Sequence, residues 1–362
     1  MRESGANKES KISRGRLVAR FLSGSWSGSP LSLSADELGD ISGLITTCGA
    51  GGLGWNKLRE SRLRDSQVGE LFQAQYRFQS LQSALHEHRL KKVIPLLREA
   101  GVEPLLVKGW AIARLYPEPG MRPYIDLDLC VTPEHSKRAH EVLNSGECDD
   151  CPVDLHVGFG KFYDRRTDEI FARSRLVSLD DLDVRVLARE DDLRFLCLHL
   201  LRHGAQQPLW LCDVAVLLET HGNDLDWDRC LTGSRREADW VACALGMAHQ
   251  LLGVDLADSP VAHRADRLPD WLIRTVLEEW GTPLRALPQL VVYLRDPSRW
   301  VQDFGSEVAR HWPNAIEATM TVEGPFNRIP RLPFQIGHIL TRVFAVPSHL
   351  RAWTNLTVLH RG

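Results

Sequence analysis

The stretch LLVKGWAIARLYPEPGMRPYIDLDLCV, residues 105–131, constrains this chain more than any other segment. Its end, YIDLDLCV, has the composition of a buried strand yet carries Asp126 and Asp128 two positions apart. A strand sends alternate side chains to opposite faces, so both carboxylates point one way while Ile125, Leu127 and Leu129 point the other. Two like charges on one face repel, unless a cation lies between them or the face is open to water.

The surrounding sequence supplies a frame for that strand. From about Ser61 to Ala100 apolar residues recur at helical spacing (Phe72, Tyr76, Phe78, Leu81, Leu85, Leu90, Val93, Leu97), with Pro95 expected to kink or split the run and Gly101 placed to end it in a left-handed cap. Strands and helices then alternate: VEPLLVK, the helix GWAIARLY, YIDLDLCV, a helix entered through Thr132-Pro133, PVDLHVGF, and a hairpin over RLVSLDDLDVRVL. From EDDLRFLCLHLLRHG onward the pattern is helical, with one amphipathic piece, FQIGHILTRVF, among the prolines near the end.

The expected class is α+β: a small mixed β-sheet with helices, flanked by helical segments. The expected divisions are a mobile tail over residues 1–34, a helical preface over 35–100, a core over 101–188 and a helical C-terminal domain over 189–362. The tail assignment rests on a segment rich in Ser, Gly, Arg and Lys with little periodicity, after which LSADELGDIS reads as a capped helix start.

At 362 residues with 43% hydrophobic content the chain can bury a large core, and a formal net charge of -3 gives no bulk reason to expect nucleic-acid or anionic-membrane binding. No window approaches the roughly 18 apolar residues of a membrane-spanning helix, and the polar start leads into no secretory apolar core, so a cytoplasmic location is expected. Reduced thiols are the default for the eight cysteines. Cys148 and Cys151 have the spacing of half a zinc site, but no second half lies nearby in sequence, and a turn before the next strand accounts for them.

Three elements in order carry chemistry. Lys108-Gly109 closes a strand and opens a helix, where glycine lets backbone amides approach a phosphate. Asp126 and Asp128 follow on the next strand, and Asp154 on the strand after that, with His156 on its own face. Three such carboxylates can supply oxygen ligands to Mg²⁺ or Mn²⁺, which would answer the repulsion on the strand face. Arg122 stands just before the aspartate strand, where it can meet a phosphate or serve as an ordinary loop charge. Trp110 falls in the same turn and is counted with the nucleotide-side residues, although aromatics there also pack into cores.

KGWAIARLYPEPGMRPYIDLDLCV followed by VDLHVGF resembles the uncharacterised bacterial nucleotidyltransferase family of the DNA polymerase beta-like superfamily, whose members often accompany peptide natural-product biosynthesis genes. The resemblance centres on residues 104–158 and extends loosely through LHLLRHGAQQPLWLCDVAVLL. It implies a nucleoside triphosphate co-substrate, a divalent metal, and attack of a small-molecule or peptide acceptor on the α-phosphate with loss of pyrophosphate. By position it assigns Asp126, Asp128 and Asp154 as catalytic metal ligands, and Lys108, Gly109 and Arg122 to the phosphates. The wider superfamily has Gly-Ser at the phosphate turn, whereas this chain has Gly109-Trp110.

A second reading keeps the fold without turnover, as a nucleotide-responsive or peptide-binding module; the complete carboxylate set favours the enzyme. His199 and His203, four apart on an expected helix, read as packing residues, and Asp213 as a buried partner for Arg202 or His203.

Overall fold

The computed structural model describes residues 5–159, 165–283 and 312–342. Among these, strands β1 (Leu105–Leu106), β2 (Leu127–Val131), β3 (Val153–Val157), β4 (Arg175–Leu179) and β5 (Leu182–Val186) form one mixed sheet in the order β3-β2-β1-β5-β4. β2 and β3 pair in parallel, β1 and β2 antiparallel, β1 and β5 in parallel, and β4 and β5 as the expected hairpin. The class is therefore α+β.

Helix α4 (Gln67–Glu99) starts at Ser66, whose hydroxyl accepts from the Gly69 amide, and runs unbroken through Pro95. Its C-terminal half lays Leu90, Val93, Ile94 and Leu97 on the sheet face built by Leu106, Leu127, Leu129, Val131, Val184 and Val186. Gly101 follows with φ of 76°, the left-handed turn its position predicts. Phe78 and Leu81, counted with the apolar period of this helix, are exposed: the inward row there is Phe72, Gln79, Ser83 and His86. Helix α5 (Gly109–Ala113) follows β1, and α6 (Ser136–Leu143) leads from β2 towards β3.

Most of the remaining helices share a second core, while Ile170 of the helix before β4 packs with Leu105, Val107, Cys130 and Leu187. Helices α1 (Gly5–Leu22), α2 (Ala35–Thr47) and α3 (Gly51–Leu58) precede α4; the short α7 (Thr167–Arg173) precedes β4. After the sheet come α8 (Arg189–Arg202), α9 (Pro208–His221), α10 (Trp227–Leu231), α11 (Arg235–Leu252), α12 (Ala262–Ala265), α13 (Asp270–Trp280), α14 (Ala315–Thr321) and a helix over 332–342 that takes in most of FQIGHILTRVF; residues 343 and 344 of that motif lie outside the described residues. Buried side chains of α1–α3 and of α8, α9, α11 and α13 belong to a single apolar cluster. No helix is long and apolar enough to cross a membrane among the described residues.

The mobile tail expected over residues 1–34 is corrected by this packing. Ile12, Val18, Phe21 and Leu22 of α1 are buried, and α1 crosses α13 so closely that a Cβ on Gly15 would lie 1.9 Å from the Leu277 carbonyl oxygen. A Cβ on Gly281 would lie 1.8 Å from the carbonyl of Lys11. The contact face is small and glycine-bearing, which is why hydrophobic periodicity alone does not reveal it.

Candidate active site

The site is built by strand register. In the parallel β2–β3 pair Asp128 sits beside Asp154 and Cys130 beside His156, so the alternation of each strand delivers both carboxylates and the imidazole to one face. β1 ends against β2, the Val107 amide donating to the Asp128 carbonyl at 3.0 Å, and the chain then turns sharply into α5. Lys108 holds φ of 52° and Gly109 φ of 42°. A lysine in that region is a strained, uncommon conformation of the kind that gathers at functional sites.

That turn aims the Lys108 ammonium at the aspartates. Lys108 Nζ lies 2.6 Å from Asp128 Oδ1, and His156 Nε2 lies 3.0 Å from the same oxygen and 3.3 Å from Asp154 Oδ2. The Asp128 side chain is 7% exposed, whereas that of Asp154 is 53% exposed. One carboxylate is thus an anchored floor and the other faces whatever enters. Among the described residues, Asp128, Asp154 and His156 bring three potential ligand atoms within 4.8 Å of one another. Asp126 lies on the bend just before β2, outside that trio yet within the electrostatic reach of Asp128, Lys108 and Asp154.

The charges respond as this geometry requires. Burial raises the pKa of Asp126, and repulsion from Asp128 adds to it. Burial also works to raise Asp128, but hydrogen bonding to His156 and the attraction of Lys108 outweigh it, and its pKa is lowered. The hydrogen bond to Asp128 raises His156, against the opposing effect of burial. Repulsion between the aspartates is therefore answered, in the protein alone, by the Lys108 ammonium and by the His156 ring beside it.

Two carboxylates and an imidazole within one ion's reach, with Asp126 beside them, suit a divalent metal: the oxygens serve Mg²⁺, and the nitrogen extends the set towards Mn²⁺. The groups neutralising Asp128 are a flexible ammonium and a titratable ring, both able to yield to a cation. The residues present fit the expected metal.

Two expected nucleotide-side residues lie elsewhere. Arg122 is turned inward: its Nε donates to Asp213 Oδ1 at 2.8 Å, one terminal nitrogen to Oδ2 at 2.7 Å and the other to the Pro123 carbonyl. Asp213 also accepts from the Tyr116 hydroxyl at 2.9 Å. Buried and fully committed, Arg122 is a clamp between the loop before β2 and helix α9. The partner expected for Asp213, Arg202 or His203, is corrected to Arg122. Trp110 is buried in the sheet core, and its indole donates to Glu87 Oε1 at 3.1 Å, so it packs α5 onto α4. Cys148 and Cys151 form a turn before β3, the Cys151 amide donating to the Cys148 carbonyl at 2.8 Å.

Sequence reasoning placed His156 on the right face without assigning it to the ion cluster. The signal was the spacing VDLHV, which sets it two residues from Asp154.

The mixed sheet thus carries paired carboxylates on adjacent strands beside a strained Lys-Gly turn. The family model described as uncharacterised nucleotidyltransferase matches residues 44–149 and 147–253, and the chain belongs to that family. No curated protein and no solved structure matches it. The matched span contains the whole aspartate site and runs on to the end of α11.

Proposed function

We propose that this protein is a metal-dependent nucleotidyltransferase that moves a nucleoside monophosphate from a nucleoside triphosphate to a hydroxyl of a small-molecule or peptide acceptor, releasing pyrophosphate. The observation that carries the reading is the β2–β3 register, which sets Asp128 against Asp154 next to Lys108. Asp126, Asp128 and Asp154 would hold Mg²⁺ or Mn²⁺, with His156 at the rim, and the cation would neutralise phosphate charge and acidify the acceptor hydroxyl.

The chain's own groups do the rest. Asp154, the exposed carboxylate, takes the hydroxyl proton as the acceptor oxygen bonds to the α-phosphorus and the bond to pyrophosphate breaks. Lys108 leaves Asp128 for the phosphates and balances charge on the departing pyrophosphate. Gly109 lets the backbone of the turn approach the phosphates. The cell interior, where nucleoside triphosphates and Mg²⁺ are held, is the setting this reading requires.

A second reading, a catalytically inactive nucleotide-responsive or peptide-binding module, draws on one observation: Lys108 and His156 already balance Asp128. Incubation with each nucleoside triphosphate, Mg²⁺ or Mn²⁺ and candidate acceptors, followed by pyrophosphate detection, tests turnover. Thermal melts test the site directly. Triphosphate with Mg²⁺ should raise the melting temperature by mass action, and Asp128→Asn and Asp154→Asn should abolish the rise. A rise undiminished in both variants defeats the proposal.

A further inference from the structure

Over its middle turns, helix α4 sends polar residues inward and apolar ones outward. Gln79 is fixed in the interior by two bonds, its Oε1 accepting from the Gly52 amide at 3.2 Å and its side-chain nitrogen donating to the Gly49 carbonyl at 3.0 Å. Further along the same inward row the His86 ring packs 4.9 Å from that of Tyr124. These partners set the rotation of the helix, so the opposite face cannot roll into the core. Leu71, Phe78, Leu81 and Leu85 stand 42%, 61%, 72% and 46% exposed, with exposed Ala74 among them. An apolar row of this kind, aligned along one face, marks an interaction surface rather than scattered surface residues.

The row has the spacing of a coiled-coil seam. Leu71, Phe78 and Leu85 recur every seven residues, and Ala74 and Leu81 fall between them in the alternating step of helices that pack along their length. From Leu71 to Leu85 the seam runs on the order of 20 Å. It complements itself in one direction. With a second copy of the helix antiparallel, and a two-fold axis level with the peptide between Gln79 and Ser80, Phe78 meets the partner's Leu81 and Ala74 meets the partner's Leu85, small against large. A parallel pair would set Ala74 against its own copy and leave a gap. Charge favours the same direction. Glu70, which makes no ion pair among the described residues, stands at one end of the row. His88, Arg89 and Lys92 stand at the other, Lys92 holding only a solvent-exposed pair with Asp150 at 2.9 Å. Antiparallel packing brings these unlike ends together, whereas parallel packing sets each against itself.

We propose that this face of α4 is the interface of a homodimer, two copies of the helix packing antiparallel with Phe78 and Leu81 at the centre. The contact is isologous, so it closes at two copies and leaves no seam free for a third. Because α4 covers the sheet face opposite Asp128, the dimer stands whether or not the aspartates turn over nucleotide.

Sedimentation velocity of the full chain, at concentrations up to on the order of 100 μM, should show a reversible monomer–dimer equilibrium. Phe78→Glu and, as a second variant, Leu81→Glu should each weaken dimerisation at least about thirty-fold, the scale of a contact at the centre of an interface. Circular dichroism of both variants, and their melting temperatures at concentrations where the parent is monomeric, should match the parent. Direction is read by air oxidation: Ala74→Cys mixed with Leu85→Cys should form a covalent pair, and neither variant alone should do so. A chain monomeric throughout, a dimer untouched by both glutamate substitutions, or self-linking of either cysteine variant overturns the proposal. So does a glutamate variant that melts well below the monomeric parent, since the row would then be covered from within the chain.

Discussion

Arg122 and Asp213, 91 residues apart, form a buried two-pronged ion pair at 2.8 and 2.7 Å, closed by the Tyr116 hydroxyl. Burial opposes the charge on Arg122, but Asp213 more than compensates and its pKa is raised. The pair fastens the loop entering the aspartate strand to the first turns of α9, so the sheet and the helical core meet in fixed register.

Arg122→Ala should therefore act on stability. Leaving Asp213 buried without its partner costs about 3–5 kcal/mol, and Asp213→Ala should cost a similar amount. Urea denaturation of both single variants and the double variant checks this: the double change should cost clearly less than the sum. A variant Arg122→Ala of unchanged stability but weakened triphosphate affinity would restore a direct phosphate role.

Helix α1 should be required for folding. Phe21 is fully buried, its ring 5.9 Å from that of Phe72, and truncation of such a side chain to alanine costs about 3–5 kcal/mol. Deleting residues 1–22 should lower the melting temperature by many degrees or leave the chain insoluble. A deletion variant that melts like the full chain refutes the packing of α1 on α13.

The three aspartates should respond differently to neutralisation. Asp126 has a raised pKa, so its ionisation disfavours the fold at neutral pH, and Asp126→Asn should leave apo stability equal or higher. Asp128→Asn strips a buried acceptor from Lys108 and His156 and should cost about 1–3 kcal/mol. Asp126→Asn should shrink, and Asp128→Asn abolish, the melting shift produced by Mg²⁺ with triphosphate. Chemical denaturation with and without that ligand separates the two effects.

Two histidines should impose opposite pH dependences. His199, with a folded pKa of about 3, binds a proton in the unfolded chain up to about pH 6.5 but not in the fold. Its contribution to stability therefore rises with pH across that window, and His199→Gln should flatten the rise. His156 has a raised pKa, so its contribution is present below about pH 6.5 and is lost as pH climbs through its folded value. His156→Asn should thus be costlier at pH 6 than at pH 9. Midpoint-against-pH curves for both variants, each compared with the parent, give the sign directly.

The sequence by itself determined what depends on short-range geometry. Period-two alternation in YIDLDLCV and VDLHV set Asp128, Asp154 and His156 on faces that one pairing register could unite, and local turn chemistry fixed the hairpin after Arg175 and the left-handed cap at Gly101. Only the tertiary structure decided which charges meet. Arg122 sits four residues before Asp126 and looks from the chain like a companion to it, yet α9 meets it with a buried carboxylate at 2.7 Å. The glycine-bearing face of α1 likewise acquires meaning only where α13 crosses it. Alternation and capping are set by neighbours a few residues away, whereas ion pairing and close helix crossing depend on distant segments that only the folded chain brings together.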